Sequence, residues 1–160
     1  MATSPDGSGR QIRILNRLDQ IAEIAAFVEA FGNACGLPDD VVNALNLVLD
    51  EVLCNAISYG FPDGGQHDIT VNLGCDGGDV WAEVVDDGIP FDPLAVSAAP
   101  DAGKGLHDRK VGGLGLLFIR HLMDGVAYRR EGPFNRLCLR KAIGGMPPRG
   151  EDATGESDDR

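Results

Sequence analysis

Residues 38–60, PDDVVNALNLVLDEVLCNAISYG, decide how the chain must fold. Their apolar positions Val42, Leu45, Leu49, Val52, Leu53 and Ala56 recur at the spacing of an amphipathic helix. Asp39 and Asp40, behind Pro38, offer N-terminal capping and a charge suited to the positive end of the dipole, and Gly60 stops the run after Tyr59. The spacing predicts a long core helix between those punctuation marks. Towards its end Glu51 and Asn55 stand one turn apart, about 40° from each other around the axis and on a flank of the apolar stripe. In isolation such a pair is a surface contact worth a few tenths of a kcal/mol, at roughly 0.2–0.5. As chemistry, it sets a carboxylate that can deprotonate or orient a hydroxyl beside a carboxamide oxygen that suits a hard cation such as Mg²⁺. Asp50 points about 100° away from Glu51 and is not the base.

Upstream, Gln11 to Asn16 alternates as a short half-buried strand, and Ile21, Ile24, Ala25, Val28, Phe31 and Cys35 place a second amphipathic helix over 18–35, ended by Gly36 and Pro38. Downstream, HDITVNL (67–73) and VWAEVVDD (80–87) alternate on either side of the turn CDGGD and predict a hairpin. A long irregular stretch over 88–112 has the size of a functional lid. A third helix over Leu114–Met123 follows, and VAYRRE (126–131) and RLCLRKA (136–142) close a second hairpin around GPFN. Strands and helices in this order do not alternate as a doubly wound parallel sheet would. They predict a two-layer α/β sandwich: a mostly antiparallel mixed sheet with helices on one face, leaving the other face open to solvent or a partner.

At 160 residues the chain suits one domain, expected over 11–142 between a flexible N-terminus (1–10) and a disordered acidic tail (143–160). The net charge of −11 belongs to the body as well as the tail, and no basic footprint for a phosphate backbone exists, so nucleic acid is not an expected partner. No apolar stretch is expected to span a bilayer, and the N-terminus lacks the pattern of a secretion signal, which makes the cytoplasm the expected location. Cys35, Cys54, Cys75 and Cys138 have no metal-binding spacing and read as buried thiols.

Two further stretches carry chemistry. In VVDDGIPFDP (84–93) an apolar strand ends in Asp86-Asp87-Gly88, where a half-desolvated carboxylate makes a strong acceptor for an exocyclic amine such as that of adenine. Gly88 lets backbone approach a flat ring. In KVGGLGLLFIR (110–120), Gly112, Gly113 and Gly115 precede a helix and expose backbone N–H groups at its positive end, a phosphate-binding arrangement that is neither a Walker loop nor a dinucleotide fingerprint. His107 and His121 have no partners in metal spacing, and His121 reads as a helix-surface residue.

These three stretches, in this order, resemble the GHKL ATP-binding superfamily of gyrase, heat-shock chaperone, histidine kinase and MutL type. Within it, DDGIPFDP and GGLGLLFIRHLMDGVAY are similar to the anti-sigma factor serine/threonine kinases of bacterial partner switching, over about residues 10–142. The resemblance implies the Bergerat-type ATP-binding fold with ATP and Mg²⁺ as cofactors. It implies Glu51 as catalytic base, Asn55 as the Mg²⁺ ligand, Asp86 and Gly88 as the adenine box, and Gly113, Gly115 and the neighbouring Leu116 as the phosphate loop. Residues 94–111 would form the ATP lid, whose Lys104 and Arg109 stand where phosphate-binding bases would be needed. A sigma factor, an anti-anti-sigma antagonist and a second copy of the chain are the implied partners. The upstream phosphoacceptor hairpin of a histidine kinase and the large transducer domain of a gyrase are not expected in a chain of this length.

Overall fold

The computed structural model describes residues 9–93 and 119–143. Strand β1 (Arg10–Leu15) leads through a short 3₁₀ turn, Leu18–Gln20, into helix α1 (Ile21–Cys35) and helix α2 (Asp39–Tyr59). Two hairpins follow, β2 (Asp68–Asp76) with β3 (Asp79–Asp86), and β4 (Gly125–Glu131) with β5 (Phe134–Ala142). They form one five-stranded sheet in the order β1-β2-β3-β5-β4. Each pairing is antiparallel, so the mixed character expected of the sheet is absent among the described residues. Both hairpins are tighter than their sequences suggest. Register runs to Asp76↔Asp79, leaving only Gly77 and Gly78 in the first turn, and to Glu131↔Phe134 in the second, where Gly132 takes φ +58°.

Alternation puts Ile69, Val71 and Leu73 of β2, Val80, Ala82 and Val84 of β3, and Leu137 and Leu139 of β5 on the face that α1 and α2 cover. The buried side of α2 is Val41, Ala44, Leu45, Val48, Leu49, Val52 and Leu53. It is centred differently from the stripe read in the sequence: Val42 and Ala56 are only half-buried. The helix is covered by α1 as well as by the sheet, which brings Val41 and Val48 inside, while Ala56 faces a cleft. On α1, Ala25 is exposed and the inner face is Ile24, Val28, Phe31 and Gly32. Asp39 and Asp40 make no side-chain cap; Pro38 holds the N-cap position and its carbonyl accepts from Val41 and Val42. The two acids act through the dipole alone.

α2, 21 residues long with an 18-residue window of mean hydropathy 1.4, passes for a membrane span by length and composition, contrary to the expectation that no stretch would. Here that apolarity serves the sheet. The cysteines also depart from expectation: Cys35, Cys54 and Cys75 are half-buried and Cys138 is exposed. Cys138 falls on the open face of β5 because Leu137 and Leu139 take the inward positions. The Cys75 thiol donates to Cys35 Sγ at 2.8 Å, and burial with that bond pushes its pKa up to about 11.

At Gly32 α1 and α2 pack closely, since a Cβ there would lie 2.5 Å from Val42 Cγ2. Valine is stiff at χ1 and cannot swing its methyl away. Gly32→Ala should therefore destabilise the fold although alanine has the better helix propensity by about 1 kcal/mol. Adding Val42→Ala should recover much of the loss. Urea unfolding of the two single variants and the double variant measures the coupling.

Candidate nucleotide-binding site

The cleft between the C-terminal half of α2 and the sheet encloses about 190 Å³. Val52, Ala56, Ile89, Phe91, Ile119 and Leu137 make its walls apolar, and Asn55, Asp86, Tyr128 and Asn135 add polar groups to the lining. Flat apolar walls with a few convergent polar groups suit an aromatic base. Tyr59, 39 % exposed, also lines the cleft.

Asp86 closes β3 and is 8 % exposed. Its Oδ1 accepts from Gly88 N at 2.9 Å and from Asn135 Nδ2 at 2.9 Å. Both of these bonds fall on the same oxygen, which leaves the second oxygen as an acceptor for a ligand. A Cβ on residue 88 would meet Gly60 O at 2.7 Å and Asp86 Oδ1 at 2.9 Å, so glycine is required by the close approach of two chain segments. Ile89 N donates to the same Gly60 carbonyl at 2.9 Å, tying this turn to the end of α2.

Asn135 was not legible as a site residue in the sequence. It is 6 % exposed, on β5 directly across from Asp86. Its Nδ2 donates to Asp86 and to Ile89 O (2.9 Å), while its Oδ1 accepts from Tyr128 Oη (2.6 Å) and Arg130 NH1 (3.1 Å). Only one orientation of the amide satisfies a carboxylate and a carbonyl on one side and a hydroxyl and a guanidinium on the other. Arg130 NH1 also donates to Gly88 O at 2.7 Å. In the sequence Asn135 falls in the expected turn GPFN, where asparagine is ordinary, so no local signal marks it; the strand in fact begins at Phe134.

On α2, Asn55 lines the cleft and Glu51 sits one turn before it, half-buried. Asn55 Nδ2 donates to Glu51 Oε1 at 3.4 Å, so the carboxamide oxygen is the atom left for a hard cation. This donor set fits Mg²⁺ shared with substrate phosphates. Asp50 lines a separate groove against α1 with Asn46 and Cys54, as its angle around the helix predicts. Burial and the charges of Asp50 and Glu51 raise the pKa of the Cys54 thiol. Among the described residues no group of acidic, histidine and cysteine side chains forms an all-protein metal site. Of the site residues read in the sequence, Glu51, Asn55, Asp86 and Gly88 are thus placed. Lys104, Arg109, Gly113, Gly115 and Leu116 lie outside the described residues, as do the lid, the tail from 144 onward and the first half of the expected third helix (114–118); 119–122 are helical. His121 is exposed, as expected.

Fold and cleft together define an α/β sandwich built to take a flat base between helix and sheet. A family model of the histidine kinase-like ATPase domain matches residues 14–141, and the chain belongs to that family. It is 33 % identical over 95 residues to the serine/threonine-protein kinase BtrW of Bordetella bronchiseptica, covering 59 % of this chain and 66 % of that protein. It is 30 % identical over 107 residues to the serine-protein kinase RsbW of Halalkalibacterium halodurans, covering 65 % of each. The matched part thus spans just under two thirds of the length of these curated relatives. Its fold is that of the crystal structure of the RsbU and RsbW domains of Rv1364c from Mycobacterium tuberculosis, with a TM-score of 0.56 at 14 % identity over 83 % of this chain and 32 % of that one.

Removing the Asn135 amide strands Asp86, the Ile89 carbonyl and the Tyr128 hydroxyl. Asn135→Ala should cost about 1–3 kcal/mol or more in denaturant unfolding and should weaken adenine-nucleotide binding in the same preparation. A variant as stable as the parent with unchanged affinity would remove Asn135 from the site.

Proposed function

We propose that the chain is an ATP-dependent serine/threonine protein kinase of the anti-sigma type, which phosphorylates a small anti-anti-sigma antagonist and sequesters a sigma factor. In this reading it acts in the cytoplasm as a homodimer. The observation that carries the enzymatic part is that Asp86 and Asn55 line one cleft, with Gly88 bonded to Asp86 and Glu51 bonded to Asn55. The protein-kinase names of the relatives BtrW and RsbW support the same reaction class.

Asp86 accepts the exocyclic amine of adenine, and Gly88 admits the ring beside backbone. The carboxamide oxygen of Asn55 is the protein's ligand for Mg²⁺, which when bound neutralises charge on the transferring phosphoryl group. Glu51 takes the proton from the attacking serine hydroxyl as that oxygen bonds to the γ-phosphorus and the β–γ bridge breaks, with ADP as leaving group. Gly113, Gly115 and Leu116 hold the phosphates by backbone N–H groups, and Lys104 and Arg109 add charge from the lid.

One observation favours a second reading, a nucleotide-binding module that sequesters its partner without kinase activity. Glu51 is bonded to Asn55 and is not itself among the residues that line the cleft. Labelled ATP, Mg²⁺ and an antagonist protein separate the two: phosphoserine appears only if the chain is a kinase.

Glu51→Ala should slow transfer by about 10²-fold or more, as loss of a general base does, with ATP affinity nearly unchanged. Asp86→Asn should weaken binding itself by about 1.5–3 kcal/mol, roughly ten- to hundredfold. Wild-type turnover in the first variant would eliminate the proposed base. Mg-ATP should also raise the unfolding temperature of the native chain in a dose-dependent way, by about 2.7 kcal/mol of stabilisation at a hundred times Kd.

A further inference from the structure

His67, just before β2, is held from several sides. Its N–H donates to Asn16 Oδ1 at 2.9 Å and its carbonyl accepts from Asn16 N at 3.0 Å, so its backbone is fixed to the end of β1. Phe61 stacks on the imidazole with ring centroids 4.7 Å apart. The ring so placed directs Nδ1 to Asp87 Oδ1 at 2.9 Å and Nε2 to Asp63 Oδ2 at 2.8 Å. A neutral imidazole has one N–H, and its other nitrogen would turn a lone pair on a carboxylate. Only the imidazolium satisfies both acids. The facing groups from the surrounding elements are Asp63 from the loop after α2, Asp87 from the end of β3, and the uncharged Asn16 and Phe61. Both carboxylates raise the imidazole above its ordinary value of 6.5, the Asp63 hydrogen bond most, and the same bond holds Asp63 below the usual carboxylate range.

Asp87 lies between Asp86 and Gly88, in the turn assigned to adenine. That turn is tied to the 60–67 loop at two points, the Ile89 N to Gly60 O bond and the Asp87–His67 pair. The geometry points to His67 as a positioning residue for the nucleotide: its protonated ring clamps the turn that carries Asp86 and Gly88, and nucleotide affinity therefore depends on pH. This rests on the nucleotide reading of the cleft. Deprotonation leaves one N–H for two carboxylates; the Asp63 bond is the stronger, so the Asp87 bond is lost and the turn loosens on that side, its ordering then opposing binding. Because the group's value is raised on folding, the clamp is fully present below 6.5 and is lost as pH rises through the higher folded value. Asp63 and Asp87 are 58 % and 41 % exposed, so salt weakens the clamp.

Mg-ATP affinity is measured by calorimetry for the native chain and His67→Gln between about pH 5.5 and 8.5, the range in which imidazole titrates. The native chain should lose affinity with rising pH by on the order of fivefold more than the variant, the low end of coupling between sites. The ligand's own phosphate titration is common to both and cancels. Parallel profiles would overturn the clamp while leaving the nucleotide site intact; absence of binding at every pH would overturn both. Should His67→Gln not fold, Asp63→Asn, which removes one carboxylate from the ring, should move the affinity loss to lower pH. By reciprocity, saturating Mg-ATP should raise the pKa of the His67 ring followed by NMR in the native chain, and an unmoved ring titration is the contrary result.

Discussion

The hydrogen bond between Asn135 and Asp86 ties the end of the β3–β5 ladder to the turn that follows β3. It joins β5 to the end of β3 beneath the cleft, where both side chains are nearly out of water. A buried carboxylate with a partner missing is costly, and this one is satisfied only when the second hairpin has docked against the first. The same amide holds the Ile89 carbonyl and Arg130 holds that of Gly88, so the course of the backbone after β3 is set by side chains from β4 and β5.

The asymmetry of α2 follows from having two tasks. Along its first turns it is surrounded, with Val41, Leu45, Val48 and Leu49 packed between α1 and the sheet. Along its last turns the sheet recedes and Val52, Asn55, Ala56 and Tyr59 face the cleft. The helix thus spends part of its apolar stripe on a ligand surface, which is why Ala56 is half-exposed although its spacing marks it as core. Glu51 and Asn55 lie at the border between the two regions.

The open face of the sheet is not apolar. Glu83, 8 % exposed, accepts from Asn72 Nδ2 at 3.2 Å and Arg136 NH1 at 3.3 Å, and the exposed Cys138 donates to it. Burial and that carboxylate together raise the Cys138 pKa. Cross-strand pairing of this kind stabilises the sheet on the face away from α1 and α2. Trp81 lies over Gly74, where a Cβ would come within 2.1 Å of the indole, so the face is covered by its own side chains.

Strand, helix and hairpin identities were legible in the sequence because each depends on the period of apolar residues and on local turn chemistry. Glu51, Asn55, Asp86 and Gly88 were legible as candidates for the same reason: each belongs to a short run whose spacing has meaning within one element. Asn135, Tyr128, Arg130 and His67 were not, since their significance lies in partners 7 to 49 residues away. The order β3-β5-β4 sets Asn135 against Asp86, and no periodicity in either strand encodes which strand will be its neighbour. Local pattern specified the elements and which face of each is apolar; pairing across the sheet and the close approach at Gly60 and Gly88 decided which polar groups meet, because those contacts exist only after the separate apolar faces have been buried together.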